Sequence, residues 1–159
     1  MTALVNIPVA VVLERREVVQ GRWRVPKWTA VSTLPGAHLA KQTKGRVLIR
    51  SEDGVEQYLC SGLGIALYRD SAESYWYNLT GDNPSLYVIC HESPDGGLEP
   101  VLVTADHDEA MAGLEADDHV FSTAIPAEIY QAIERFVVEN YVPEGPRKRK
   151  RKNWSDRKE

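Results

Sequence analysis

The stretch RVLIRSEDGVEQYLC, Arg46 to Cys60, restricts the fold more than any other part of this chain. Two β-prone runs flank Asp53-Gly54, with only those two residues between them. Asp-Gly supplies the two consecutive positive-φ positions of a tight turn whose twist matches that of paired strands. The runs are therefore expected to pair antiparallel. Most other strand connections are also too short for parallel crossovers, which need about a dozen residues. These constraints predict an α+β domain, with three helices packed on a mainly antiparallel sheet of about six to seven strands.

Other strands are expected at Ile7–Val18, at Lys27–Pro35 before Pro35-Gly36, and in GIALY (Gly64–Tyr68). PSLYVIC (Pro84–Cys90) is an almost continuous apolar run and reads as a central strand; EPVLVTA and HVFSTA follow it. Pro8 should lie at a strand start or a sheet edge, because it cannot donate to a ladder. The polar AHLAKQTKG (Ala37–Gly45) reads as a loop.

Three helices are expected. Asp70 and Glu73 have capping-box spacing ahead of a stripe of Ala72, Tyr75, Trp76 and Leu79, with Gly81 at the end. Asp106 and Glu109 repeat that spacing in DHDEAMAGLE. Pro126 opens the third helix, with Ile129, Ala132, Ile133, Phe136 and Val137 on one face. Pro143, Gly145 and Pro146 end it. Residues 1–143 thus read as a single domain and 144–159 as a disordered basic tail.

Charge is divided sharply along the chain. Arg147–Glu159 holds 8 basic and 2 acidic residues, a net +6, including six consecutive cations at Arg147, Lys148, Arg149, Lys150, Arg151 and Lys152. Residues 1–146 hold 11 basic and 21 acidic residues, a net −10. An acidic body does not attract a phosphate backbone, so nucleic-acid binding would fall to the tail alone. IPVAVVL is about a third of a membrane span, and the residues around it do not resemble a signal peptide. The expectation is a cytoplasmic protein with Cys60 and Cys90 reduced.

Catalytic patterns are weak. GLG at Gly62–Gly64 lacks the third glycine of a dinucleotide loop and reads as a bend between strands. Candidate metal ligands are Cys60, Cys90, His38, His91, His107 and His119, without CxxC or HxxxH spacing. Cys90 and His91 adjoin in a strand and should point to opposite faces. The acidic neighbours of His107 suit a helix start without a metal. No nucleophile elbow occurs. The reading therefore assigns no catalytic residue, no cofactor and no metal, and leans against an enzyme. Contact residues are sought among exposed aromatics: Tyr77, off the buried stripe, and Trp23 and Trp28, which bracket RVPK between two strands.

Several segments together resemble a known family. They are VAVVLERR (Val9–Arg16), WTAVSTLPG (Trp28–Gly36), LYRDSAESYWYNL (Leu67–Leu79), PSLYVI (Pro84–Ile89), VLVTADHDEA (Val101–Ala110) and the helix from Ile125. In this order and spacing the chain resembles a bacterial domain of unknown function, number thirty-three-oh-five. The resembling region stops before the basic tail, and DHDEA stands where such proteins often show SPYEA. The resemblance implies an association with molybdenum-dependent formate dehydrogenases and their maturation factors, beside which such proteins are typically encoded. Some are labelled molybdopterin guanine dinucleotide biosynthesis proteins, but this chain lacks the glycine-rich, arginine-containing N-terminal loop of that chemistry. The leading expectation is a non-catalytic accessory or assembly protein that binds a protein partner, a formate dehydrogenase or a maturation factor. Trp23, Trp28, Tyr77 and the cations 147–152 are its contacts. The alternatives are a nucleic-acid-associated or regulatory protein using the tail, and an enzyme with a small-ligand site between sheet and helices.

Overall fold

The computed structural model describes residues 2–36 and 45–142. Among them the order is β1 (Val5–Gln20), β2 (Trp23–Pro35), β3 (Gly45–Glu52), β4 (Val55–Leu67), α1 (Ala72–Thr80), β5 (Ser85–Glu92), β6 (Leu98–Thr104), α2 (His107–Glu115), β7 (His119–Ala124) and α3 (Ala127–Asn140). All strand pairs among the described residues are antiparallel. The expected α+β class and three helices are present, but the expected single sheet is two. One has the order β2-β1-β4-β3, the other β6-β5-β7. Alternating hydrophobicity shows that a strand has a face to bury, not which strand covers it. Here the cover comes from a second sheet.

The Asp53-Gly54 hairpin forms as the sequence dictates. Glu52 pairs with Val55, and the two turn residues have φ of 50° and 77°. A second two-residue hairpin joins β1 to β2 through Gly21, at φ 62°, and Arg22. It extends both strands beyond the predicted Val18 and Lys27. The tip is paired but exposed, so no burial pattern marks it. GIALY continues β4 rather than forming a separate strand. Gly62, at φ 81°, lies in a bulge where Leu63 to Cys60 spans only Val9 to Val11 of β1.

The inner faces meet in one core. Val9, Val11, Leu13, Ile65 and Leu67 of the first sheet join Leu86, Val88, Cys90 and Val103 of the second. At one side of this interface β2 meets β7, and at the other β4 meets β6. The Thr33 and Thr123 hydroxyls, both buried, lie 3.1 Å apart, and Thr33 donates to the Ala124 carbonyl at 3.3 Å. This pairing satisfies polar groups that would otherwise be costly to bury.

The helices occupy different places. α2 packs on the second sheet, where Gly113 permits close approach: a Cβ there would lie 3.3 Å from Val120 and 3.4 Å from Ile89. α1 and α3 pack against each other. The Tyr75 and Phe136 rings are 6.0 Å apart, and the Tyr130 hydroxyl donates to the Leu79 carbonyl at 3.1 Å. These contacts make the pair antiparallel, with the end of α3 beside the start of α1. Asp106 caps α2, its Oδ1 accepting from the Asp108 N–H at 2.9 Å. Asp70, however, does not cap α1: it lies in a 3-10 turn, Arg69–Ser71, and Ser71 holds the cap position. Tyr75 and Leu79 are buried as expected, whereas Trp76 is 38% exposed. On α3 Ile129, Ile133, Phe136 and Val137 are buried and Ala132 is half-buried.

Pro8 lies near the start of β1. Its carbonyl accepts from the Gly36 N–H at 2.9 Å, just beyond the end of β2. Gly36 presses on this backbone, and a Cβ there would lie 2.8 Å from Val9 N and 2.9 Å from the Pro8 carbonyl carbon. Backbone atoms on a doubly paired strand cannot swing aside. Gly36→Ala is expected to destabilise the fold by about 1–3 kcal/mol, measured by urea denaturation. An unchanged midpoint would show that β1 and β2 separate freely at this end.

Candidate interaction surfaces

The structure places the predicted contact residues in separate settings. Trp23 is 75% exposed beside the β1–β2 turn, and Tyr77 is 63% exposed on α1. Trp28 is not part of a free patch: it lies within β2, half-buried and packed against the core. The cations Arg147, Lys148, Arg149, Lys150, Arg151 and Lys152 lie outside the described residues, as do His38 and residues 37–44 of the expected loop Ala37–Gly45, whose last residue begins β3.

Trp28 belongs to a layered cluster. Its ring stacks on Tyr58 at 5.9 Å, and the Arg46 guanidinium sits 4.7 Å over the Tyr58 ring. Arg46 also donates to the Leu98 carbonyl at 3.2 Å and lies 3.7 Å from the Asp95 carboxylate. Strands β2, β4, β3 and the β5–β6 loop thus each contribute one layer. Sequence reasoning passed over Arg46, Tyr58 and Asp95: pairing of β3 with β4 brings the first two together, and packing of the two sheets brings Asp95 to them. The Tyr58 hydroxyl donates to Glu56, and this bond, with burial, raises the Tyr58 pKa. A cavity of about 320 Å³ beside the cluster is lined by Arg46, Cys60, Asp95 and Glu99 among others.

A broader groove of about 710 Å³ runs on the other side of Trp28. Val18, Val25, Pro26, Trp28, Leu98 and Phe121 supply its apolar lining. Val18 and Val25 are cross-strand partners, as are Gln20 and Trp23 two residues nearer the turn. Trp23 therefore shares a strand face with Val25, and the hairpin tip extends one wall of the groove. Val19, also at the tip, is 71% exposed. A third groove, of about 550 Å³, lies between α1, α2 and the start of β5. Tyr77, Tyr87 and His107 line it together with carboxylates, and the Tyr87 and His107 rings meet edge-on at 5.8 Å.

The candidate ligands for chemistry are dispersed. His91 lies 3.0 Å from Asp118, and His119 lies 3.6 Å from Glu92. Cys90 is buried while neighbouring His91 is exposed, as strand alternation requires. Among the described residues no group of three or more His, Cys, Asp or Glu side chains is placed to hold a metal ion. Burial pushes the thiol of Cys60 up to about 11 and that of Cys90 to about 12. Both therefore remain protonated and weakly nucleophilic near neutral pH. Among the described residues no helix is long and apolar enough to cross a membrane.

The fold and surfaces define a small antiparallel α+β domain with an apolar groove and an acidic one. The family model described as "Protein of unknown function (DUF3305)" matches residues 8–152, and the chain belongs to that family. The match runs through Arg147–Lys152, which correspond to part of the family model rather than standing beyond it. This corrects the sequence reading that left the basic run outside the shared region. Neither a curated protein nor a solved structure gives a significant match.

The β5–β6 loop holds Asp95 in place. Its Oδ1 accepts from the Ser93 hydroxyl and, at 3.2 Å, from the Gly97 N–H; chiefly the Ser93 bond holds this carboxyl below its ordinary pKa. Ionised Asp95 therefore favours the ordered loop above the ordinary carboxylate range. That contribution is lost as pH falls through the depressed value. Ser93→Ala is expected to raise the Asp95 midpoint in an NMR pH titration. An unmoved midpoint would remove Ser93 as the cause.

Proposed function

We propose that this chain is an accessory or assembly protein that binds a protein partner rather than transforming a substrate. The observation that carries the reading is the apolar groove walled by Val18, Val25, Trp28 and Phe121, with exposed Trp23 on the same strand face as Val25. Half-buried aromatic side chains next to a solvent-facing tryptophan are the composition from which protein–protein contact energy comes. The groove suits an apolar segment of another protein. Among the described residues its charged lining is confined to Lys27 and Glu92, with His119 also present.

The partner class follows from the family resemblance: a molybdenum-dependent formate dehydrogenase or one of its maturation factors. The high thiol pKa values favour a binding role over cysteine chemistry. Localisation in the cytoplasm goes with this reading.

Trp23→Ala combined with Val19→Ser is expected to leave folding stability within about 0.5 kcal/mol, because both side chains are exposed. Loss of a tryptophan anchor should weaken the partner complex by about 2 kcal/mol, roughly thirty-fold. Affinity capture from the native host with wild-type and variant chains measures this. Undiminished capture by the variant would move the contact away from the groove. If the wild-type chain captures no oxidoreductase or maturation protein under gentle conditions, the reading itself fails.

A further inference from the structure

The acidic groove has its own candidate occupant. On one side of α1 and its entry turn, Asp70, Glu73 and Tyr77 follow each other at helical spacing. Asp82, at the end of that helix, and Asp108, on α2, complete the charged lining. Among the described residues no lysine or arginine lines this groove. Among the described residues none of these four carboxylates has an ion-pair partner. Unpaired like charges lining one concave surface repel one another, and a polycation relieves that repulsion. Exposed Tyr77 adds an aromatic face suited to a guanidinium or ammonium group.

The chain carries such a polycation where it can reach this groove. The antiparallel α1–α3 pair brings the end of α3 to the start of α1, the end where Asp70 and Glu73 lie. The described chain ends at Val142, and Arg147 follows five residues later. Five residues span up to roughly 17 Å when extended, enough to round the start of α1. The six cations from Arg147 to Lys152 then cover up to roughly 20 Å, somewhat more than the roughly 14 Å length of α1.

We propose that the basic run Arg147–Lys152 docks on the acidic α1–α2 groove of its own chain. This goes beyond the partner-binding reading and uses a different surface, so either can fail alone. The acidic body then explains the basic tail: the run is held against carboxylates until a stronger polyanion or high salt releases it.

The test uses the full-length chain with Ser155→Cys carrying a nitroxide spin label; Cys60 and Cys90 are buried and do not compete for the reagent. At about 50 mM salt the amide signals of Glu73 and Tyr77 are expected to broaden several-fold more than those of Glu17 and Glu52. They should recover at about 1 M, where the Debye length falls to about 3 Å. Asp70→Asn with Glu73→Gln should abolish most of the broadening, whereas Glu17→Gln with Glu52→Gln, an equal loss of charge on the first sheet, should not. Uniform or absent broadening overturns the proposal. So does equal loss in the two double variants, which would mean diffuse attraction without a groove. Broadening of an isotope-labelled chain by a separate spin-labelled chain also overturns it, since the tail would then reach a second copy.

Discussion

Strand β1 has both edges paired and, from Val9 to Leu13, both faces withdrawn from water. Val9, Val11 and Leu13 point into the core between the sheets, and Ala10 and Val12 are buried on the opposite side. Full burial of a valine or leucine contributes about 1.5–3 kcal/mol relative to exposure. A strand so placed cannot slip, because a shift of one residue would exchange its two faces. β2 and β4 take their register from it. The close fit of Gly36 and the bulge at Gly62 are accommodations to the same strand.

Bulges let strands this long share one core. The register shifts by one residue at Val12/Leu13, at Val9/Val11, at Leu48/Arg50 and at Ile89/Cys90. Each shift adds local twist and bends the strand that carries the extra residue. Bent sheets approach at both sides, bringing β2 to β7 and β4 to β6, and this geometry sets Asp95 and the Leu98 carbonyl against the Arg46–Tyr58–Trp28 stack of the first sheet. Arg46 reaches from β3 to the Leu98 carbonyl of β6, and the β5–β6 loop sets Asp95 against it. Strand pairing thus builds the stack and sheet packing completes it, and the apolar groove beside it is formed by elements of both sheets.

The sequence was most legible where one short-range rule decides the outcome. Asp53-Gly54 announces its hairpin, Asp106 its helix cap, and Ile129–Val137 its buried stripe, all without reference to distant residues. It was less legible where long-range contacts decide. Asp70 has the spacing of a cap, yet a 3-10 turn displaces the start of α1 past it. Trp76 fits a helical stripe but lies at its edge, because Tyr75 and Leu79 already fill the contact with α3. The paired extension around Gly21 buries too little to leave a hydrophobic pattern. The division into two sheets depends on which strands pair, information that alternation does not carry. Of the surfaces, Trp23 and Tyr77 were legible as exposed aromatics. Arg46, Tyr58 and Asp95 were not, since they lie on separate elements.

The apolar and the acidic groove are separate on this molecule. The apolar groove belongs to the β1–β2 hairpin and its junction with the second sheet; the acidic groove belongs to α1 and α2. Burying apolar area responds weakly to salt, whereas contact between a polycation and exposed carboxylates is screened within about 10 Å at 0.1 M. A partner seated against Trp23 and Val25 would therefore hold at ionic strengths that release a basic segment from Asp70 and Glu73. On the proposed readings, this separation would let a basic segment leave the acidic groove without loosening a partner held in the apolar one, and neither groove includes the buried Val9–Leu13 stretch of β1.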